Sequence, residues 1–130
     1  MTEAVGVKFI YLYCNDLSAM RNFYSEMENA GVAYDCDGLQ FTIFFDRNFN
    51  KHSTGWSNQP GWVGGNQPTM SWSVVFEQQE FRKAVTNVLS AGIETFFIEP
   101  EWLNYWSFPV RDPMGNTVEL VFSPENKTAW

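Results

Sequence analysis

Positive charge, histidine, cysteine and long apolar runs are all scarce in this chain. Eight Lys or Arg stand against 15 Asp or Glu, for a formal net charge of −7. No basic stripe is available to neutralise phosphates, which argues against nucleic acid as a partner. The acidic balance serves solubility, and it would also draw a cationic ligand from a distance. His52 is the only histidine. No cysteine or carboxylate stands at ligand spacing from it, so it reads as a surface residue. No Ser-His-Asp or Cys-His arrangement is recognisable, and the Gly64-Gly65 pair is not a phosphate loop. Cys14 and Cys36 are the only cysteines, and Cys14 reads as a buried reduced thiol. Met1-Thr2-Glu3-Ala4 reads as leading straight into the fold, so no signal peptide is expected, and no apolar run is long enough to span a membrane as a helix. The expected compartment is the cytoplasm, without membrane contact.

What the chain has in quantity is aromatic surface. Hydrophobic residues make up 45% of it, charged residues 18% and aromatic residues 18%, with 12 Phe and 6 Trp. Such a composition folds rather than staying disordered. A length of 130 residues suffices for one compact domain with a core. Aromatics dominate cores, but Trp also favours interfaces and ligand pockets.

Val7 to Cys14 alternates as a strand. Val7, Phe9, Tyr11 and Tyr13 share one face; Lys8, Ile10, Leu12 and Cys14 share the other, toward a helix. Asn15 or Asp16 can cap that helix. Its inner stripe is Leu17, Met20, Tyr24 and Met27, with Phe23 beside them, and Gly31 closes it. Short strands follow at Val32 to Asp35 and Leu39 to Asp46, around an Asp37-Gly38 turn. The second half repeats the plan. A strand from Met70 to Glu77 leads into a helix from Gln78 to Ala91, with Phe81, Ala84, Val85, Val88 and Leu89 inward and Gly92 at its end. Strands from Thr95 to Glu99, Tyr105 to Arg111 and Thr117 to Ser123 complete it. Gly31 and Gly92 lie 61 residues apart. At that shift Met20 falls on Phe81, Phe23 on Ala84, Tyr24 on Val85 and Met27 on Val88, apolar in both copies. Residues 47–69 between the halves are polar, Gly-rich and longer than ordinary loops. Trp56 and Trp62 inside that loop are expected to be covered, as a lid over a pocket or against a second subunit.

The final hairpin carries the most specific signal. Asp112-Pro113-Met114-Gly115-Asn116 supplies a tight turn, because Pro presets φ and Gly or Asn tolerates φ > 0. Val118, Leu120 and Phe122 then share one face, and Thr117, Glu119 and Val121 the other. A carboxylate centred in an apolar strand is costly without a partner. Glu119 is either a solvent-facing or edge residue, or a metal ligand or ligand-gripping acid at a pocket mouth. Arg111 beside Asp112 reads as a surface pair.

The form Asp-Pro-x-Gly-Asn-x-x-Glu-Leu over residues 112–120 resembles the vicinal oxygen chelate superfamily, as does Phe9-Ile10-Tyr11-Leu12-Tyr13-Cys14-Asn15-Asp16-Leu17 followed by Phe23-Tyr24. That group contains glyoxalase I, extradiol dioxygenases and bleomycin resistance proteins. The resemblance implies an α+β fold of two βαβββ modules forming a cup-shaped mixed sheet. Module one would span about 5–46, the long loop 47–69 and module two about 70–123, within one domain over 1–130. The resemblance also implies a metal site of four side chains, usually His, Gln or Glu, one on each of four strands. Here the first position falls on Phe9, the third on Met70 or Ser71, and the fourth on Glu119. The second belongs to the strand around Leu39 to Phe45, which offers Gln40 and Thr42, with Asp46 just past its end. Phe9 cannot bind a metal, Met70 is poor for a hard cation and Ser71 is weak. The expectation is no metal, no cofactor and no catalytic residue.

The resemblance turns the inner sheet face into a ligand cup. Its expected lining is Phe9, Tyr11 and Tyr13, Phe41 or Phe44, and Trp102, Tyr105 and Trp106, though each also fits ordinary core packing. In one strand phase Ser71 and Ser73 add hydroxyls; the opposite phase brings Met70 and Trp72. Trp56 and Trp62 join from the loop. Glu119 is the acidic group, accepting hydrogen bonds from Tyr11, Tyr13 or a cationic ligand. The chain therefore reads as a metal-independent small-molecule binding protein of the bleomycin-resistance type, for an aromatic and cationic ligand. Its expected partners are that ligand and a second copy, in a homodimer that completes the cups. The rival reading is a lyase, isomerase or dioxygenase with a reduced or displaced metal site around Glu119, Asp46 and His52. A third is a structural or regulatory module with no small ligand.

Overall fold

The computed structural model describes residues 3–5, 7–29, 35–36, 39–50, 55–58 and 65–130, with backbone alone for 25–29 and 35–36. The elements run β1 (Phe9–Cys14), α1 (Leu17–Asn29), β2 (Asp35–Cys36), β3 (Leu39–Phe45), β4 (Ser71–Val75), α2 (Gln78–Ser90), β5 (Glu101–Trp102), β6 (Trp106–Arg111) and β7 (Thr117–Phe122). They build two sheets, ordered β1-β3-β2 and β4-β7-β6-β5. In each, the strand before the helix pairs in parallel with a later strand, β1 with β3 and β4 with β7, and the other pairings are antiparallel. The α+β architecture is thus laid down twice along the chain.

Local chemistry explains the boundaries. Asp16 caps α1, its Oδ1 accepting the Ala19 N–H at 3.0 Å. Gly92 leaves α2 with φ of 71°, a conformation that costs a side-chain-bearing residue energy. The inward stripe of α2 is Phe81, Ala84, Val85 and Val88. Leu89 lies at the edge of that stripe and is exposed rather than inward. The strand expected over 95–99 is only an isolated bridge, Thr95 to Val110. That segment and β5 share one edge of β6: Phe96 N donates to the Pro109 carbonyl, while Glu101 and Trp102 pair with Ser107 and Trp106. The expected Gly31 helix end, Val32–Tyr34 and the Asp37-Gly38 turn lie outside the described residues.

The core lies between the helices and the sheets. Leu12, Cys14, Met20, Phe23, Tyr24 and Phe41 from the first half join Val74, Phe81, Val85, Val88, Phe108, Val110, Val118 and Leu120 from the second in one cluster. Burying each larger side chain there contributes on the order of 1.5–3 kcal/mol. An aromatic contact links the halves: Phe41 lies 4.6 Å from Trp72 and 5.0 Å from Tyr24, centroid to centroid. Cys14 is a free, buried thiol, and burial pushes its pKa above the ordinary value. Because strands alternate, the faces turned away from the helices carry the other residues, and those faces hold the candidate site. Among the described residues no helix is long and apolar enough to cross a membrane.

Candidate functional site

Register assembles the site. β6 and β7 pair Pro109 with Glu119 and Ser107 with Val121, so Ser107 shares the face of Glu119. β4 sets Ser73 beside Glu119 and Ser71 beside Thr117. The strand phase is therefore the one that brings Ser71 and Ser73 to this face and sends Trp72 toward the helices. Glu119 is only 3% exposed. Its Oε2 accepts the Ser107 hydroxyl at 2.5 Å and the Tyr105 hydroxyl at 3.1 Å. Hydrogen bonds to a charged group are worth about 1.5–3 kcal/mol each, which offsets the cost of burying the carboxylate. Burial pushes the Tyr105 phenol above its ordinary value of 10.0, and the adjacent Glu119 charge and hydrogen bond push the same way. Tyr105 is therefore a firm proton donor at neutral pH. The expected donors Tyr11 and Tyr13 are replaced in that role by Tyr105 and Ser107.

The first sheet carries an aromatic row. Phe9, Tyr11 and Tyr13 share one face of β1 and are 46%, 50% and 50% exposed. Phe9 and Tyr11 lie 5.0 Å apart, Tyr13 meets Phe44 edge-on at 5.7 Å, and Phe49 stacks at 6.4 Å. Phe44 belongs to this row and Phe41 to the core, because β1 and β3 pair Tyr13 with Phe44 and Ile10 with Phe41. The tyrosines here are half-open, not buried as a hydroxyl-satisfying pocket would require.

The loop neck is clamped at one end of the Glu119 face. Ser57 is fully buried: its N–H donates to Thr117 Oγ1 at 3.0 Å and its hydroxyl to the Met70 carbonyl at 2.8 Å. Arg111 donates to the Gly55 carbonyl at 2.9 Å, pairs with Glu94, and sits 5.6 Å over the Trp56 ring. Trp56 also meets Phe96 edge-on at 5.3 Å. Trp62 and His52 lie outside the described residues.

Trp102 and Trp106 fall elsewhere. With Ser107 facing Glu119, alternation turns Trp106 to the helix side, opposite Phe122, and Trp102 pairs with Trp106. Nor do Arg111 and Asp112 form a surface pair. Asp112 is 3% exposed and accepts hydrogen bonds from Tyr24, Asn116 and Met114. Ser107 was missed, although the 112–116 turn fixes its register: pairing 111 with 117 sets 107 beside 121.

A divalent metal needs several convergent N, O or S ligands. Around Glu119 stand hydroxyls, and two of them already donate to its Oε2. Asp46 is exposed and caps its own turn, accepting the Asn48 N–H at 2.9 Å. Among the described residues no three His, Cys, Asp or Glu side chains converge. The described residues do not fit the metal that the resemblance implies.

No family model matches the chain, and no curated protein matches it at a significant level. Solved structures do. A glyoxalase/dioxygenase from Nostoc punctiforme matches with a TM-score of 0.72 at 18% identity, covering 93% of this chain and 92% of that one. A glyoxalase/bleomycin resistance protein/dioxygenase from Nocardioides gives 0.64 at 14%, covering 100% and 91%. Lactoylglutathione lyase from Agrobacterium tumefaciens gives 0.60 at 19%, covering 93% and 96%. The chain has the glyoxalase-type fold, in agreement with the vicinal oxygen chelate resemblance.

Proposed function

We propose that this chain is a metal-independent small-molecule binding protein of the bleomycin-resistance type, acting in the cytoplasm as a homodimer. Its site is the side of the sheets turned away from the helices. The observation that carries this reading is Glu119, buried at the centre of β7 and held by two hydroxyl donors. A flat aromatic ligand stacks on Phe9, Tyr11, Tyr13 and Phe44, half-open and without a covering layer from their own strands. A positive charge on that ligand is favoured by Glu119. With Glu119 3% exposed, its charge acts through a floor of low dielectric rather than by open contact. The lyase, isomerase or dioxygenase reading draws no support from the donor set around Glu119.

The test is titration of tryptophan fluorescence with N-methylacridinium, comparing wild type with Glu119→Gln. The amide keeps shape and loses charge. Saturable binding should weaken about tenfold, equivalent to about 1.4 kcal/mol. Equal affinity in both proteins dismisses the acidic role, and no binding in either favours a module without a small ligand.

A further inference from the structure

The tryptophans that turn away from the candidate site face a different occupant. Residues 127–130 lie against α2 and the helix-facing side of β6. Three side chains donate to three successive main-chain oxygens of this tail. Trp106 Nε1 reaches Thr128 at 2.7 Å, Gln78 Nε2 reaches Ala129 at 2.7 Å, and Arg82 Nε reaches Trp130 at 2.6 Å. Gln78 and Arg82 stand one helical turn apart, so one face of α2 presents both donors. Such contacts read a backbone without reading its sequence. Two further contacts read side chains. Trp130 meets the fully buried Phe81 edge-on at 6.3 Å. The Lys127 ammonium lies 5.7 Å over Trp106 and 6.0 Å over Trp102, a cation–π hold from two rings. A cavity of about 440 Å³, lined by Arg82, Trp106, Ala129 and Trp130, remains beside the tail.

We infer that this face is a peptide-binding groove, separate from the small-molecule site. It recognises an extended Lys-x-x-Trp segment, and its resident occupant is the chain's own residues 127–130. Donors aimed at consecutive carbonyls, an aromatic slot for Trp and a paired-indole platform for Lys make up a recognition surface, not generic packing. The occupant is held by contacts at the rim of the domain, so it exchanges with the same segment supplied in trans.

The test uses full-length chain carrying Trp130→Ala, whose own tail lacks its anchor, and a fluorescent peptide of residues 123–130. Anisotropy should show saturable binding to this variant at least tenfold tighter than to wild type, whose groove is filled. A peptide with alanine in place of its tryptophan should bind at least tenfold more weakly. The Trp106 indole N–H resonance should shift in the variant and return when the peptide is added. Equal binding to both proteins, or no saturable binding to a variant with the wild-type circular dichroism spectrum, overturns the inference. If Trp130→Ala does not fold, Lys127→Ala serves in its place, with the same competition expected at reduced contrast. A peptide that then fails to distinguish it from wild type overturns the inference equally.

Discussion

Tyr24→Phe should destabilise the fold more at neutral pH than in acid. Tyr24 on α1 donates its hydroxyl to Asp112 Oδ2 at 2.6 Å, tying the first half of the chain to the turn between β6 and β7. Both residues are 3% exposed. The same carboxylate accepts Asn116 Nδ2 at 2.9 Å, the Met114 N–H at 2.9 Å and the Asn116 N–H at 3.0 Å. Burial pushes the Asp112 pKa above its ordinary 3.8; the Tyr24 hydrogen bond is the strongest of the influences that oppose it. A carboxyl with a raised folded pKa binds its proton more tightly folded than unfolded. Its charge therefore disfavours the fold at neutral pH, and that penalty vanishes as pH falls through the folded pKa toward 3.8. Tyr24→Phe keeps the ring against Phe41 and Trp72 but removes one bond to the charged form. The loss should be about 1.5–3 kcal/mol at pH 7, shrinking as Asp112 protonates. Asp112→Asn removes the titrating charge and should flatten this pH dependence. The double variant should fall short of the summed losses by about 1–2 kcal/mol, because the pair shares one interaction. Urea denaturation of the four proteins from pH 7 down to about 4 measures all of this. Strict additivity, or a Tyr24→Phe loss constant across that range, refutes the argument.

Three further outcomes follow from the geometry. Ser107→Ala removes the 2.5 Å donor to Glu119 and should lower unfolding stability by about 1.5–3 kcal/mol; an unchanged urea midpoint would show that the bond carries nothing. Gly65→Ala places a Cβ 1.9 Å from the Ser57 carbonyl oxygen. It should cost about 1–3 kcal/mol in the same assay and speed amide exchange at Asn58, whose N–H donates to Gln67 in the loop neck. Light scattering at micromolar concentration should give twice the 15.0 kDa chain mass, and a monomer mass would count against the proposed homodimer.

Much of the fold was legible because two periodicities run cleanly through the chain. The alternation of Phe9 to Cys14 set its inner and outer faces correctly, and the stripe Phe81, Ala84, Val85, Val88 lies where helical spacing places it. The site was legible only in part. Glu119 could be singled out as a carboxylate between Val118 and Leu120, but its partners come from register, which single-strand reading ignores. The tryptophans misled for a physical reason: Trp102, Tyr105 and Trp106 cluster in sequence, yet alternation sends Trp106 and Tyr105 to opposite faces. Composition could not show that a tail would cover the indoles. Asp112 looked like half of a surface pair because its true partner, Tyr24, is 88 residues away.

Glu119 shows how one strand position can change its chemistry without changing the fold. A metal site needs neighbouring groups that offer lone pairs toward a common point, with the carboxylate among them. Here Ser107 of the neighbouring strand and Tyr105 just before it offer hydrogens instead, both directing O–H donors at one carboxylate oxygen. The raised pKa of Tyr105 keeps its proton in place at neutral pH, so this donor does not convert into an oxyanion ligand. Phe9, at the first metal position, adds ring surface to Tyr11 rather than a donor atom. Each of these features alone would weaken a metal site. On the function proposed above, the aromatic row of β1 and the anchored carboxylate of β7 would serve a stacking, cationic ligand in place of coordination.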